Sequence, residues 1–89
     1  MNNVIILGKV ISKSIIHFDY LDKLKVYFKI SVLEKNNIFE VVISEKYIHT
    51  NFVNVMYNHI KIGNIICVGG NITRIKDNYL IMCNDLFIC

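Results

Sequence analysis

Aliphatic and polar residues alternate along most of this chain, a pattern typical of strands that are buried on one face only. The alternation is clearest over residues 24–33, where one face carries Val26, Phe28, Ile30 and Val32. The opposite face of the same segment carries Lys25, Tyr27, Lys29 and Ser31. Because the side chains of a strand alternate between its two faces, the first set is predicted to enter a core and the second to face solvent.

Further segments with the composition and alternation of strands are residues 4–14, 38–44, 65–75 and 79–83, with a continuation at 86–88. A loop is predicted over 17–22, turns are predicted at 35–37 and 63–64, and a hairpin tip is predicted over 76–78. Glycine interrupts two of the strands, at Gly8 and at Gly69 and Gly70. An isolated glycine inside a strand marks a bulge or a tight bend, so both strands are predicted to bend.

One segment has the spacing of a helix instead. Its apolar residues recur at helical intervals and are Ile48, Phe52, Val55 and Met56. This stripe predicts a helix over residues 45–58, with Ser44 as its N-cap and Glu45 in its first turn. The aromatic rings of Tyr47, Phe52 and Tyr57 are predicted to pack rather than to bind a ligand.

The predicted order is therefore strand, strand, strand, helix, strand, strand. This is the order of the OB-fold, a five-stranded Greek-key barrel. A closed barrel also explains the glycine in the first strand, because that strand must bend to pair with both of its neighbours. The fold class predicted from the sequence is thus all-β with one helix, which lies between the third and fourth strands of an OB-fold barrel.

The composition is that of one small folded domain. The chain has 89 residues, of which 54% are hydrophobic, and it contains no proline, so we expect a single domain over residues 1–89. Its apolar stretches are shorter than the roughly 20 residues that cross a bilayer. Asn2 and Asn3 stand where a signal peptide would be basic. These features predict a cytoplasmic protein that does not bind membranes.

Catalytic and metal-binding patterns are weak in the sequence. Cys67, Cys83 and Cys89 form an odd set without CxxC spacing, which predicts reduced and mostly packed thiols. A metal site made by Cys83, Cys89 and one histidine stays open, although no spacing indicates it. The sequence also lacks a nucleophile motif, paired carboxylates on one strand face and a phosphate-binding loop. We therefore expect neither a metal nor another cofactor, and no enzymatic activity.

The net charge of +3 is modest, but it is unevenly placed. Residues 1–30 contain five lysines against two aspartates, whereas the rest of the chain is balanced. A basic bias of this kind fits a face that binds a polyanion. It fits an ordinary solvated strand face about equally well, and the charge alone does not distinguish the two.

Four segments resemble those of bacterial single-stranded-DNA-binding proteins and of their relative, the primosomal single-strand-binding protein. The opening MNNVIILGKV resembles the M-N-x-V-x-L-x-G-x-(hydrophobic) start of that family, and VYFKIS and FEVVIS resemble its second and third strands. The segment KIGNIICVGGNI resembles the approach to its fourth strand, with Gly63, Val68 and Gly70 at the matching places. The resemblance covers nearly the whole chain and implies an OB-fold that binds single-stranded DNA and pairs with copies of itself through its first strand.

The chain departs from that family at the aromatic residues that stack on bases. Of about four such positions only the one at Phe39 clearly keeps a ring, and the others fall near Asn36, Ser44 and Asp77. Tryptophan is absent. Because each stacked base contributes about 1–3 kcal/mol, we expect weaker binding of single strands. We also expect a domain without the acidic tail of that family, like the primosomal relative, because the sequence ends at Cys89.

A set of residues is predicted to contact nucleic acid. On the outward face of the second predicted strand, lysines alternate with a ring, which suits phosphates that flank a stacked base. The full set is Lys9, Lys13, Lys25, Tyr27, Lys29, Phe39, Arg74, Lys76 and Tyr79. For Phe39 two interpretations stay open: its alternation with Val41 and Ile43 places the ring in the core, whereas the resemblance places it on the ligand face.

The leading prediction is a non-enzymatic protein that binds single-stranded DNA, or RNA, in replication, recombination or mobile-element maintenance. It includes a homodimer or homotetramer and a replication-protein partner, and it needs no cofactor. The alternative is an OB-fold interaction module with little or no nucleic-acid binding, which the absent tryptophans and the small charge favour. A cold-shock-type RNA-binding barrel is a third interpretation, for which the aromatic-rich strand is missing.

Overall fold

A computed structural model describes residues 3–19, 25–45 and 51–89 of the chain. These residues form strands and one helix in the order β1 (Asn3–Lys13), β2 (His17–Asp19), β3 (Lys25–Glu34), β4 (Asn37–Glu45), α1 (Phe52–His59), β5 (Ile65–Ile75) and β6 (Asn78–Ile88). The alternation in the sequence therefore predicted the long strands to within one or two residues at most ends. The last strand is longer than predicted, because β6 continues without a break from Asn78 to Ile88.

The sheet closes on itself through β1. Its strand order is β1-β5-β6-β4-β3-β2, and β1 also pairs with β3. All of these pairings are antiparallel except the one between β4 and β6, which is parallel. Five long strands thus make a closed Greek-key barrel, which confirms the predicted OB-fold. The short β2 adds one strand to the count, so the helix follows the fourth strand of the described chain and not the third.

The extra strand β2 lies where a loop was predicted, and strand pairing explains it. On β3, the pairing with β1 covers Ile30 to Leu33 and leaves the first half of that edge of β3 open. β2 pairs with this open half, with His17 opposite Tyr27 and Asp19 opposite Lys25. A segment of three residues shows too little alternation to be predicted from sequence, because its pairing depends on a distant edge.

The helix begins later than predicted. Ser44 and Glu45 belong to β4, where they pair with Tyr27 and Val26, so neither residue caps or starts the helix. The N-cap of α1 is Asn51. Residues 46–50 of the predicted helix lie outside the described residues. The start of the helix was predicted too early, because the prediction did not anticipate that β4 pairs with β3 as far as Glu45.

Two glycines allow strands to approach each other closely. A Cβ atom at Gly8 would overlap with the carbonyl oxygen of Leu33 and would lie 2.7 Å from Cγ1 of Val32. A Cβ atom at Gly70 would overlap with the carbonyl oxygen of Met82 in the same way. The strands are irregular nearby, because the β5–β6 register shifts between Gly69 and Gly70 and the β1–β3 register shifts just beyond Gly8. The sequence thus correctly marked the places where the barrel tightens.

The core fills the barrel with aliphatic side chains and one large ring. The inward faces of all five long strands contribute to it, and the helix closes one end with Val53 and its C-cap residue Ile60. The ring of Phe28 is fully buried and meets the ring of Tyr57 edge to face, at 5.2 Å between centroids. No polar side chain among the described residues is buried. Burial of apolar area is therefore the main force that holds the barrel together.

Candidate nucleic-acid interface

The outer face of β3 carries the best defined of the predicted contacts. Tyr27 and Lys29 alternate with the buried residues Phe28 and Ile30, so they point away from the core. Lys29 is exposed and Tyr27 is half-buried. Lys25 lies two residues before Tyr27, at the start of the same strand. Its side chain lies outside what the structure describes. Tyr27 and Lys29 together with His17 are called the strand surface below.

A stacked pair of rings forms the centre of the strand surface. His17 on β2 lies opposite Tyr27 in the register, and their rings are nearly parallel, at 5.1 Å between centroids and 22° between planes. The backbone of Lys29 is held in place beside them by Ser14. The N–H of Lys29 donates to the Ser14 hydroxyl at 2.9 Å, and the N–H of Ser14 donates to the carbonyl of Lys29 at 2.8 Å. Sequence reasoning missed His17, since it placed that residue in a loop.

Lys13 does not join the strand surface. Its ammonium donates to the carbonyl oxygens of Tyr57 at 2.9 Å and of Ile60 at 3.1 Å, and it lies 4.1 Å from the centroid of the Tyr57 ring. These carbonyls belong to the C-terminal turn of α1, where a cation is favoured by the helix dipole. The structure thus gives Lys13 a role in joining β1 to the helix. Lys9 is exposed. It lies opposite Leu33, at the other end of the pairing between β1 and β3.

Three of the predicted residues meet at the hairpin that joins β5 and β6. Tyr79 lies beside Phe39 on the neighbouring strand β4, at 5.7 Å between ring centroids, and the guanidinium of Arg74 lies 6.0 Å from the Tyr79 ring. Phe39, Arg74 and Tyr79 are called the hairpin cluster below. Lys76 stands at the tip with a φ of 57°, and its carbonyl accepts a hydrogen bond from Nε of Arg74 at 3.1 Å.

The ring of Phe39 takes the core-facing orientation. It packs against the hydrophobic core on the same side of β4 as Val41 and Ile43, and Glu40 points outward and is exposed. The alternation therefore described this residue better than the resemblance did. The ring is only half-buried, because it lies at the end of the barrel. Part of it is therefore accessible from the hairpin that joins β5 and β6.

The strand surface and the hairpin cluster are separate places. Tyr27 pairs with Ser44 near the end of β4, whereas Tyr79 pairs with Phe39 near its beginning. Five residues of strand correspond to roughly 17 Å. The rings of the two groups also lie on opposite faces of β4. Of the nine residues predicted from the sequence, Tyr27 and Lys29 belong to the strand surface, and Phe39, Arg74 and Tyr79 belong to the hairpin cluster. Lys9 and Lys13 on β1 belong to neither group.

An open pocket of about 440 Å³ lies beside the strand surface, and no pattern in the sequence indicated it. The residues that line it come from β4, α1, β5 and β6, and they are Ser44, Phe52, Asn71, Met82, Cys83 and Asn84. Phe52 was predicted to pack, yet 42% of it is exposed at the rim. No single segment contains more than three of these residues, so only the closed barrel brings them together.

The thiol of Cys83 is the titratable group in this pocket. Burial, and to a smaller extent the nearby charge of Asp85, raises its pKa to about 11. The thiol also donates a weak hydrogen bond to the carbonyl of Asp85 at 3.4 Å. At neutral pH the Cys83 side chain is therefore an uncharged, weakly polar part of the pocket wall. The part of the chain that the structure describes holds no group of three metal-ligating side chains.

Comparisons with known proteins found similarity in structure and none in sequence. No protein-family model matches the chain, and no curated protein matches it. The mitochondrial single-stranded DNA binding protein from S. cerevisiae superposes with a TM-score of 0.68 at 11% identity, over 99% of this chain and 93% of that one. The two chains therefore share one fold.

Two bacterial proteins share the same architecture. PriB from Ralstonia solanacearum superposes with a TM-score of 0.67 at 11% identity, over 100% of this chain and 99% of that one. A small single-stranded DNA-binding protein from Streptomyces coelicolor gives a TM-score of 0.58 at 16% identity, over 100% of this chain and 95% of that one. At such low identities the similarity shows a common fold. Within the described residues, no helix is long and apolar enough to cross a membrane.

Proposed function

We propose that this protein is a non-enzymatic OB-fold protein that binds single-stranded DNA. The observation that carries the proposal is the ring stack of His17 and Tyr27 beside the exposed Lys29, on the outer face of the barrel. OB-fold proteins bind single strands with aromatic platforms for the bases and cations for the phosphates. The structural similarity to single-stranded DNA binding proteins and to PriB supports the same conclusion at the level of the fold.

The strand surface provides one platform and few cations, so binding should be moderate and sensitive to salt. Each stacked base contributes about 1–3 kcal/mol, and Tyr27 is the ring best placed to supply such a contact. Phosphate contacts release counterions, so affinity falls as salt rises, with a slope of about −0.7 per neutralised phosphate on single strands. Among the described side chains, Lys29 is the cation next to the platform. Lys25 lies earlier on the same strand. RNA would satisfy the same contacts, since neither rings nor ammonium groups distinguish the sugars.

The test is fluorescence anisotropy with labelled oligo-dT at salt concentrations between about 50 and 200 mM. Tyr27→Ala and Lys29→Ala should each weaken binding, and only Lys29→Ala should also reduce the salt slope. Lys61→Ala is the matched control, because Lys61 is also exposed but follows the helix and is not part of β3. Absence of binding by the wild type at the lowest salt, or equal losses in Lys29→Ala and Lys61→Ala, would contradict the proposal.

We further propose that the protein forms a homo-oligomer through β1. The outer faces of β1, β5 and β6 carry a row of apolar side chains, in which Leu7 pairs with Cys67 and Cys67 with Phe87. Leu7 is 55% exposed, Phe87 is 69% exposed, and Ile5 beside them is 78% exposed. Contiguous apolar surface of this kind marks a protein interface. Pairing through this face would leave the strand surface of each copy accessible, because Tyr27 and Lys29 lie on β3 and outside the apolar row.

The same apolar row is the observation that favours the alternative function, an interaction module with little nucleic-acid binding. The anisotropy measurement separates the two, because the module would show no salt-dependent binding of oligo-dT. Participation in replication, recombination or mobile-element maintenance, a replication-protein partner and a cytoplasmic location belong to the first proposal. A pull-down from host extract with and without single-stranded DNA tests the role in replication, which predicts replication proteins among the captured ones.

A further inference from the structure

The pocket described above continues the strand surface across the sheet. Ser44, which lines it, pairs with Tyr27, so the pocket begins on the strand next to the ring stack. In the adjacent row Lys29 pairs with Val42 and Val42 with Met82, another lining residue. A strand of nucleic acid that lies on Tyr27 and Lys29 therefore reaches the pocket within two or three strand spacings, or roughly 10–15 Å.

The walls of the pocket combine flat apolar groups with amide groups. Phe52 is 42% exposed and Met82 is 41% exposed, so both present apolar surface to an occupant. Asn71, Asn84 and Ser44 supply hydrogen-bonding groups, and within the described chain their side chains have no hydrogen-bond partner. Each amide offers both donors and an acceptor. Rings and thioethers for packing together with a few polar groups are typical of a small-molecule site.

The described residues that line the pocket carry no charge. None of them is acidic or basic, and the Cys83 thiol stays protonated at neutral pH. A phosphate or another ion would lose its hydration there without gaining a counter-charge from these residues. A neutral, planar and polar group is the occupant that these walls fit. A volume of about 440 Å³ lies within the range of small-molecule sites and is ample for one purine.

We infer that this pocket binds one unstacked base of the single strand and that it prefers adenine. An asparagine amide pairs with the N6 amino group and the N7 atom of adenine through two hydrogen bonds, which gives it selectivity for that base. Asn71 and Asn84 supply such amides, and Phe52 supplies a ring against which the base can stack. The inference rests on the proposed function and deepens it, because it adds a base preference to binding that is otherwise independent of sequence.

The experiment compares two labelled oligonucleotides of about 16 nucleotides, oligo-dT and the same oligomer with one central deoxyadenosine. A single adenine avoids the self-stacking of oligo-dA, so a difference in affinity reports the contact made by that base. The wild type should bind the adenine-containing oligomer at least about fivefold more tightly. Asn71→Ala/Asn84→Ala should remove this preference and leave the affinity for oligo-dT and its salt slope unchanged.

Asn54→Ala/Asn58→Ala is the matched control, because it removes the same two amides from exposed positions on α1. It should retain the preference. Phe52→Ala provides a second variant, at an exposed helix position, in case Asn71→Ala/Asn84→Ala unfolds. It should also reduce the preference for adenine. Thermal unfolding followed by circular dichroism verifies that each variant is folded.

The outcomes separate this inference from the function on which it rests. Equal affinity of the wild type for the two oligomers, with normal salt-dependent binding, overturns the pocket assignment and leaves the proposed function standing. A preference that persists in both pocket variants also overturns it, since the base would then be read elsewhere. No binding of either oligomer by the wild type overturns the proposed function and the pocket assignment together.

Discussion

Gly8 shows how one residue sets the geometry of the barrel. Its missing side chain lets β1 approach β3 so closely that a Cβ atom would overlap with the carbonyl oxygen of Leu33. Gly69 differs, because a Cβ atom there would meet nothing nearer than 3.7 Å, which is an ordinary contact. Neither glycine has a positive φ. The two positions therefore differ in available space and not in backbone conformation.

We expect Gly8→Ala to lower the free energy of unfolding by about 1–3 kcal/mol, because the added methyl group forces the strands apart. Gly69→Ala is the matched control and should be neutral or slightly stabilising, since alanine reduces the entropy of the unfolded chain. Urea unfolding of both variants and the wild type measures the difference. Equal effects of the two substitutions would show that close approach at Gly8 is not what requires glycine there.

Cys83 makes the free energy of unfolding depend on pH in the alkaline range. Burial, and then the charge of Asp85, raises the pKa of its thiol from 9.0 to about 11, so the folded state favours the protonated form. The resulting stabilisation is complete below pH 9 and is lost as the pH rises from about 9 to 11. Urea unfolding at several pH values should show this fall in the wild type, and a smaller one in Cys83→Ala. A wild-type stability that rises over this range would contradict the shifted pKa.

At the level of elements, the contact between β1 and α1 depends on Lys13. Its ammonium joins the two by donating to the carbonyls of Tyr57 and Ile60. Hydrogen bonds from charged donors contribute about 1.5–3 kcal/mol when they are sheltered from water. Because Lys13 is only partly buried, the lower end of this range applies.

Lys13→Ala should therefore lower the free energy of unfolding by about 1–2 kcal/mol and leave the affinity for oligo-dT nearly unchanged. Lys29→Ala should do the reverse, with little loss of stability and weaker binding. Measuring both properties of both variants tests whether the structure divides these lysines correctly between folding and binding. A large loss of oligo-dT affinity in folded Lys13→Ala would show that Lys13 contributes to binding and would contradict this division.

The elements also show how far the sequence predicts this structure. Period-two alternation predicted β3, β4 and β5 well, because burial on one face imposes that pattern on each strand by itself. β2 and the end of β4 were missed, because both depend on pairing with β3 and not on local composition. The pocket was missed for the same reason, since its walls come from four elements that meet only in the closed barrel.

At the level of the whole molecule, the outside of the barrel carries two different surfaces. The strand surface lies on β2 and β3, and the apolar row that contains Leu7 and Phe87 lies on β1, β5 and β6. The charge excess in residues 1–30 predicted a basic face. It did not distinguish Lys29, which is free to bind phosphate, from Lys13, which is engaged by the helix, because net charge contains no information on contacts.

Leu7→Lys should convert the proposed oligomer into monomers, because it places a charge in the apolar row that pairs the copies. Ile62→Lys is the matched control, since Ile62 is 65% exposed but lies after the helix. Size-exclusion chromatography with light scattering measures the mass of each protein. A wild type that is already monomeric, or equal effects of both substitutions, would contradict assembly through this face.

The measurement that tests the central claim most directly is a titration of the isotope-labelled protein with oligo-dT, followed by amide chemical shifts. We predict that the shifts change along β3 around Tyr27 and Lys29. The amides of the apolar row around Leu7 should stay largely unchanged. Shifts that do not respond to oligo-dT, or that respond mainly on the apolar row, would contradict the assignment of the β3 face to single-stranded DNA.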